Sequence, residues 1–378
     1  LGTIFKILGR LDEALLSFDK ASELAPDSVE IYSIKAEILI NLGKLKEAEK
    51  SYRTAIKIKP NPALYSNLAG LLVELGLLDE AYNNCCKAIS LKPDFSEALM
   101  NRWSLLMGNR EYDLALKDAD SCNTKQSRAA GLEALYALGR IDEIYDRIDK
   151  TSEIDNENIR IAAFSAFLNA TEKREMPNKF CQDPLSFIYF SNLKYHLDNN
   201  KEFIGDLINE LYQVESTFQP IANTTRNGFQ TPSGINLLSK STNCISIIKS
   251  IILKEIDEYY LKFKHETCTF IEKWPSNNNI FGWHVILKKQ GYQSAHIHPG
   301  GWLSGVIYLK VVPALDNDEG SIEFSLNGVH YHQDNSPKRN YQPQSGDVVM
   351  FPSSLYHRTI PFTTNTDRIV VAFDLMPQ

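Results

Sequence analysis

Two hydrophobic periods divide the chain. Up to about residue 170, apolar positions recur at i, i+3, i+4 and i+7, the spacing of helices with one buried face. Beyond Trp274-Pro275 the pattern turns into short runs rich in Val, Ile and aromatic residues, separated by Gly, Pro and Asn. The helical part is periodic at a second level. LGRLDEALLSFDKA from Leu8, LGKLKEAEKSYRTA from Leu42 and LGLLDEAYNNCCKA from Leu75 align, with Gly9, Gly43 and Gly76 at intervals of 34 and 33 residues. Ala14, Ala48 and Ala81 keep the same intervals, as do Pro26, Pro60 and Pro93. A period of this length marks stacked supersecondary units. Glycine supplies the turn after one helix, alanine seven residues apart lets a neighbouring helix approach, and proline stops the second helix.

These residues resemble the tetratricopeptide repeat over residues 1 to about 122. A fourth unit carries Ala98, Tyr112 and Ala115, and a fifth, around Leu138-Gly139-Arg140-Ile141, has Ile144 in place of the small residue. Helical periodicity continues through Asn158–Ala170, so the solenoid is expected to run from residue 1 to 175. The resemblance implies a concave surface for a peptide or protein partner; a spacer or dimerisation arm is the alternative. Cys85 and Cys86 fall on a helix and read as inert packing thiols.

The remainder, 176–378, is expected to hold helices at Pro184–Leu197, Glu202–Glu215 and Cys244–Phe263 around an irregular stretch, Asn223–Pro232. A strand-rich core follows at about 280–376. Its expected strands are Ile280–Lys288, Gln293–His298, Leu303–Val311, Ser321–Leu326, His330–Gln333, Asp347–Phe351 and Arg368–Leu375. Short strands with turn residues between them predict a sandwich or small barrel. Seven of the eight histidines lie in this half, between residues 265 and 378. His296 and His298 stand two apart, so in a strand both imidazoles face one side and can serve one metal. His357 ends a strand-and-turn run that starts at Gly346, and Arg368 opens the last strand.

The order His296-Ile-His298-Pro299, Ser304-Gly-Val-Ile-Tyr308-Leu309, Gly346 to His357 and Asp367-Arg368 resembles a bacterial and phage branch of the Fe(II)/2-oxoglutarate-dependent oxygenases. The resemblance covers about 177–378 and implies a double-stranded β-helix, or jelly roll, behind the α-solenoid. It further implies Fe(II) held by His296, His298 and His357, 2-oxoglutarate as co-substrate, and O₂. By the same resemblance, Arg368 grips the far carboxylate of 2-oxoglutarate through its two-pronged guanidinium. Tyr308, and with it Ser304, would add hydrogen bonds, and no catalytic group is implied beyond the metal centre. Most of the superfamily has a carboxylate where His298 stands, so the ligand set resembles that of cupin dioxygenases with three histidines. Three functions follow: a 2-oxoglutarate-dependent hydroxylase, a cupin-like dioxygenase without 2-oxoglutarate, and a repeat scaffold whose barrel is silent. His330-Tyr-His332 reads as an exposed strand, and Trp283 as core. Asn227 to Thr231 reads equally as a turn or as lining of the substrate entrance.

Charge and cysteine usage narrow the partners. With 40 basic and 47 acidic residues the net charge is −7, and no basic block exceeds Lys338-Arg339, which disfavours nucleic acid. No run approaches the roughly 20 apolar residues of a membrane span. Six cysteines without a C-x-x-C spacing suggest reduced thiols and a cytoplasmic setting. The chain opens at Leu1 inside an ongoing pattern, which implies a natural N-terminus further upstream.

Overall fold

A computed structural model describes residues 1–172, 174–220, 223–313 and 318–377. They form two compact units, Leu1–Ile144 and Tyr145–Gln378.

The first unit is an α-solenoid that follows the repeat. After Gly2–Ile7 and Leu11–Leu24 come Val29–Asn41 with Leu45–Ile58, Pro62–Glu74 with Leu78–Leu91, and Ser96–Gly108 with Tyr112–Asp120. Ala14, Ala48, Ala81 and Ala115 are wholly buried, as are Ala36, Ala69 and Ala98 of the facing helices. Small side chains on both faces let the backbones close together, and Ile144 fills the corresponding place of the fifth unit. Cys85 is buried too, and burial pushes its thiol up to about 12, in keeping with an inert packing role.

The helix ends explain the repeating glycine. The Gly43 N–H donates to Ile40 O at 2.9 Å and the Lys44 N–H to Leu39 O at 2.8 Å, the paired bonds of a left-handed C-cap. Gly43, Gly76 and Gly139 adopt φ of 73°, 74° and 71°. In the fourth repeat the same bonds form, Arg110 to Met107 and Glu111 to Leu106, but Arg110 occupies the left-handed position at φ 63°. A non-glycine residue there costs about 1 kcal/mol or more. Arg110→Gly is therefore expected to raise stability by about 0.5–1 kcal/mol after allowing for the freer unfolded glycine. Urea unfolding checks this, and a lowered midpoint would show that the arginine side chain contributes more than the strain removes.

The second unit begins earlier than the boundary expected near residue 175. Its helix Ile159–Glu172 is buried without interruption from Ile161 to Leu168, so over these two turns no face is left to form the outside of a solenoid. Instead Phe164 and Phe167 each place a ring centroid 4.8 Å from that of Tyr331, deep in the C-terminal half.

Among the described residues ten strands follow: β1 (Tyr189–Asn192), β2 (Thr217–Phe218), β3 (Thr225–Gln230), β4 (Ile280–Gln293), β5 (Leu303–Lys310), β6 (Ile322–Ser325), β7 (Lys338–Tyr341), β8 (Asp347–Pro352), β9 (Tyr356–Thr359) and β10 (Arg368–Leu375). They make a seven-stranded sheet, ordered β1-β8-β5-β10-β4-β3-β2, and a three-stranded sheet, β7-β6-β9. Every pairing is antiparallel, as in a jelly roll. Helices Asn200–Leu211 and Asn243–Phe263 lie where the helical period placed them. The longer one is tied to the segment before β1 by the Tyr259 hydroxyl, which donates to Phe187 O at 2.9 Å.

Several expected elements differ. Pro184–Leu197 is not a helix: its aromatic run pairs as β1 along the edge of β8, followed by a single 3₁₀ turn. The irregular stretch from Asn223 contains β3, and β7 and β9 are additional strands. His330–Gln333 is not a strand. The Asn327 side chain donates to Gln333 O and accepts from Gln333 N, drawing the segment into a loop that a ladder would have to break. Within that loop Tyr331 is buried, and His332 pairs with Asp334 at 3.1 Å. Among the described residues no helix is long and apolar enough to cross a membrane.

Candidate metal centre

The site lies between the two sheets of the jelly roll. β4 ends at Gln293, short of the expected Gln293–His298 strand, because Pro299-Gly300 turns the chain. The segment stays extended all the same. His296 and His357 exchange both backbone bonds, at 3.1 and 3.0 Å, and the His298 N–H donates to Ser353 O at 3.0 Å. One histidine of the large-sheet side is thus held directly opposite one on β9 of the small sheet. The turn Ser353–Leu355 carries the chain from β8 across to β9.

His296, His298 and His357 converge: their candidate ligand atoms all lie within 4.8 Å of one another. The ring centroids are 4.3 to 5.1 Å apart. Each Nδ1 is already committed behind the ring. That of His296 donates to Ser294 O at 2.7 Å, that of His357 to Leu355 O at 3.0 Å, and that of His298 to Asp374 Oδ1 at 2.6 Å. This fixes the tautomers and leaves three Nε2 lone pairs facing the centre. Burial and the neighbouring imidazoles push His296 down to about 3 and His357 well below the usual histidine range. Both rings are therefore neutral, the form that binds metal.

Strand register builds the rest of the cavity. Alternate residues of β5 and β10 face inward, and Ser304 pairs with Asp374, Val306 with Ala372, and Tyr308 with Val370. The first row sits behind His298, the second and third form the wall, and Arg368 lies one further step along β10. The cavity is narrow and runs from the three histidines to Tyr308 and Arg368. Arg368 is 2% exposed, and burial lowers its guanidinium from its ordinary value. Its Nε donates to Gly320 O at 3.2 Å, and its guanidinium carbon lies 5.0 Å from the centre of the Tyr308 ring. Among the described residues no carboxylate reaches ion-pair distance of Arg368, and the buried Tyr308 hydroxyl has no hydrogen-bond partner. A buried cation beside an orphaned hydroxyl suits a bound carboxylate, and three imidazole nitrogens suit a first-row metal.

Ser304 departs from expectation. Its Oγ meets Asp374 Oδ1 at 2.7 Å, Ser353 Oγ at 2.8 Å and His298 Nδ1 at 3.0 Å, so it buttresses the metal end rather than the Arg368 end. Its register opposite Asp374, two rows from Tyr308, forces that placement. Trp283, expected in the core, instead stands at the cavity wall with its ring 5.4 Å from that of His298. An open mouth of about 490 Å³ adjoins the histidines, and Phe281, Trp283 and Gln230 line it. Of Asn227 to Thr231, Gln230 alone lines the mouth. Asp374 was not anticipated.

Comparison with known proteins agrees with this division. Residues 282–374 match the family described as "Putative 2OG-Fe(II) oxygenase", and residues 7–72 and 62–95 match tetratricopeptide-repeat families. No curated protein matches the chain. Among solved structures, the MamA protein is similar at 16% identity and TM-score 0.38, over 42% of this chain and 90% of that one. YrrB, a repeat protein described with an unusual peptide-binding site, is similar at 18% identity and TM-score 0.35, over 42% and 85%. A Pseudomonas putida prolyl-4-hydroxylase is similar at 11% identity and TM-score 0.36, over 50% and 92%.

Proposed function

We propose that this chain is an Fe(II)- and 2-oxoglutarate-dependent dioxygenase that hydroxylates a substrate brought to it by the repeats. The observation that carries the reading is one cavity holding three convergent imidazoles at one end and, at the other, a buried Arg368 that meets no carboxylate among the described residues. When bound, iron and 2-oxoglutarate supply the chemistry in which O₂ and a C–H bond are converted to an alcohol while 2-oxoglutarate yields succinate and CO₂. His296, His298 and His357 hold the metal, and Arg368 with the Tyr308 hydroxyl holds the distal carboxylate. Val306, Val370 and Ala372 keep the intervening space apolar and water-poor. Trp283 and Gln230 place the substrate at the mouth. Repeat arrays bind extended partners along their surface, which favours a peptide or protein.

Anaerobic loading with Fe(II) and 2-oxoglutarate, followed by O₂, is expected to release succinate in proportion to the O₂ consumed. O₂ uptake that is unaffected by omitting 2-oxoglutarate would replace this reading with the cupin-like one. Deleting Leu1–Ile144 is expected to raise the KM for the true substrate and leave substrate-free succinate formation unchanged, because no proposed ligand lies there. An unaltered KM in a folded truncation would end the recruitment idea alone.

A further inference from the structure

A divalent ion held by three neutral imidazoles keeps its full double charge, whereas a set of two histidines and a carboxylate halves it. In this site a carboxylate stands one hydrogen bond further out. Asp374 Oδ1 lies 2.6 Å from Nδ1 of His298, the residue occupying the place where related oxygenases have the carboxylate. The other two histidines donate to backbone carbonyls, which carry no net charge. Asp374 is 9% exposed, and its only partners among the described residues are His298 and the Ser304 hydroxyl; no lysine or arginine pairs with it. A buried carboxylate without a cation is costly unless a positive charge stands nearby. Close approach is built in: a Cβ on Gly301 would lie 3.0 Å from Asp374 Cγ and 2.7 Å from Ser353 Oγ.

Resting on the metal site proposed above, we infer that Asp374 is a positioning residue that supplies, through His298, the negative charge the ligand set lacks. It fixes the ring with Nε2 inward and makes that nitrogen a stronger donor. Ser304, itself hydrogen-bonded to Ser353, holds the carboxylate in line.

The test is anaerobic Co(II) titration of the full chain, followed by its visible absorption, with the Fe(III)/Fe(II) midpoint potential as a second readout. Asp374→Asn keeps the shape and an acceptor oxygen but removes the charge. It should raise the Co(II) dissociation constant about 10–100-fold and move the potential upward, since lost negative charge disfavours Fe(III). In a His298→Asp background, where the ligand set already carries a charge, Asp374→Asn should leave Co(II) affinity unchanged or tighten it. Unchanged affinity and potential in the single variant would overturn the inference. So would equal weakening in both backgrounds, which would mean that Asp374 acts through the fold. Wild-type protein that takes up no Co(II) would overturn the metal site itself, a distinct failure.

Discussion

Alanine in place of His357 is expected to abolish metal binding while leaving the jelly roll folded. Of the three proposed ligands, His357 is the one from the small sheet, where it pairs with Phe324 on β6, so its loss would remove that sheet's proposed hold on the ion. The remaining two rings sit on one short segment, and two neutral imidazoles make a weak site for a hard, hydrated ion. The loss in affinity should therefore exceed the roughly 10–100-fold typical of changes behind a ligand. Stability should fall by about 2–4 kcal/mol, because the buried ring packs against Phe351 and its Nδ1 donates to Leu355 O. The backbone bonds between His296 and His357 do not involve the side chain, so the strand pairing survives. Calorimetric titration with Co(II), alongside thermal unfolding of the metal-free protein, separates the two effects. Native metal affinity in a folded His357→Ala protein would remove the three-histidine centre. Loss of folding without metal would assign His357 to the core.

Local patterns made the repeats, the three histidines and Arg368 legible, because each is encoded by neighbours in the chain. Glycine at the C-cap and alanine seven residues apart act within one unit, and two histidines two apart need nothing beyond an extended backbone. Asp374 illustrates what such patterns leave out. It lies 76 residues from His298, and only the register of β10 against β5 joins them. A lone acidic residue inside the apolar run Arg368–Leu375, which is buried throughout, was the available signal. For Ser304 the motif names the residue without fixing its row in the sheet, and the register opposite Asp374 puts it at the histidine end. Trp283 reads as core in any strand. What brings it to the cavity is the inward face it shares through the pairing of β4 with β10, where it stands opposite Ala372. The loop at His330–Gln333 shows the converse, an Asn327 side chain overriding a strand-like pattern.

Arg368→Ala separates the two roles open to a buried arginine, because they predict opposite movements of stability. If Arg368 anchored the fold through an ion pair, removing it would strand a carboxylate and cost about 3–5 kcal/mol. No such carboxylate lies near it among the described residues, and burial already disfavours its charge. The metal-free variant should therefore melt at the native temperature or above, less the packing of the guanidinium on Tyr308. Binding of 2-oxoglutarate to the Co(II)-loaded protein should instead weaken by about 2–5 kcal/mol, the usual cost of truncating a buried charged hydrogen-bond partner, or roughly 30-fold to several thousandfold. Arg368→Lys keeps the charge and loses the fork, so its effect should be smaller, about 1–3 kcal/mol. Co(II) affinity should stay native in both variants, because Val370 and Ala372 separate Arg368 from the row behind His298. The decisive result is a variant with intact metal binding and unreduced stability that no longer holds 2-oxoglutarate. A destabilised Arg368→Ala protein that binds 2-oxoglutarate normally would make the arginine structural and take the co-substrate site away from this end of the barrel.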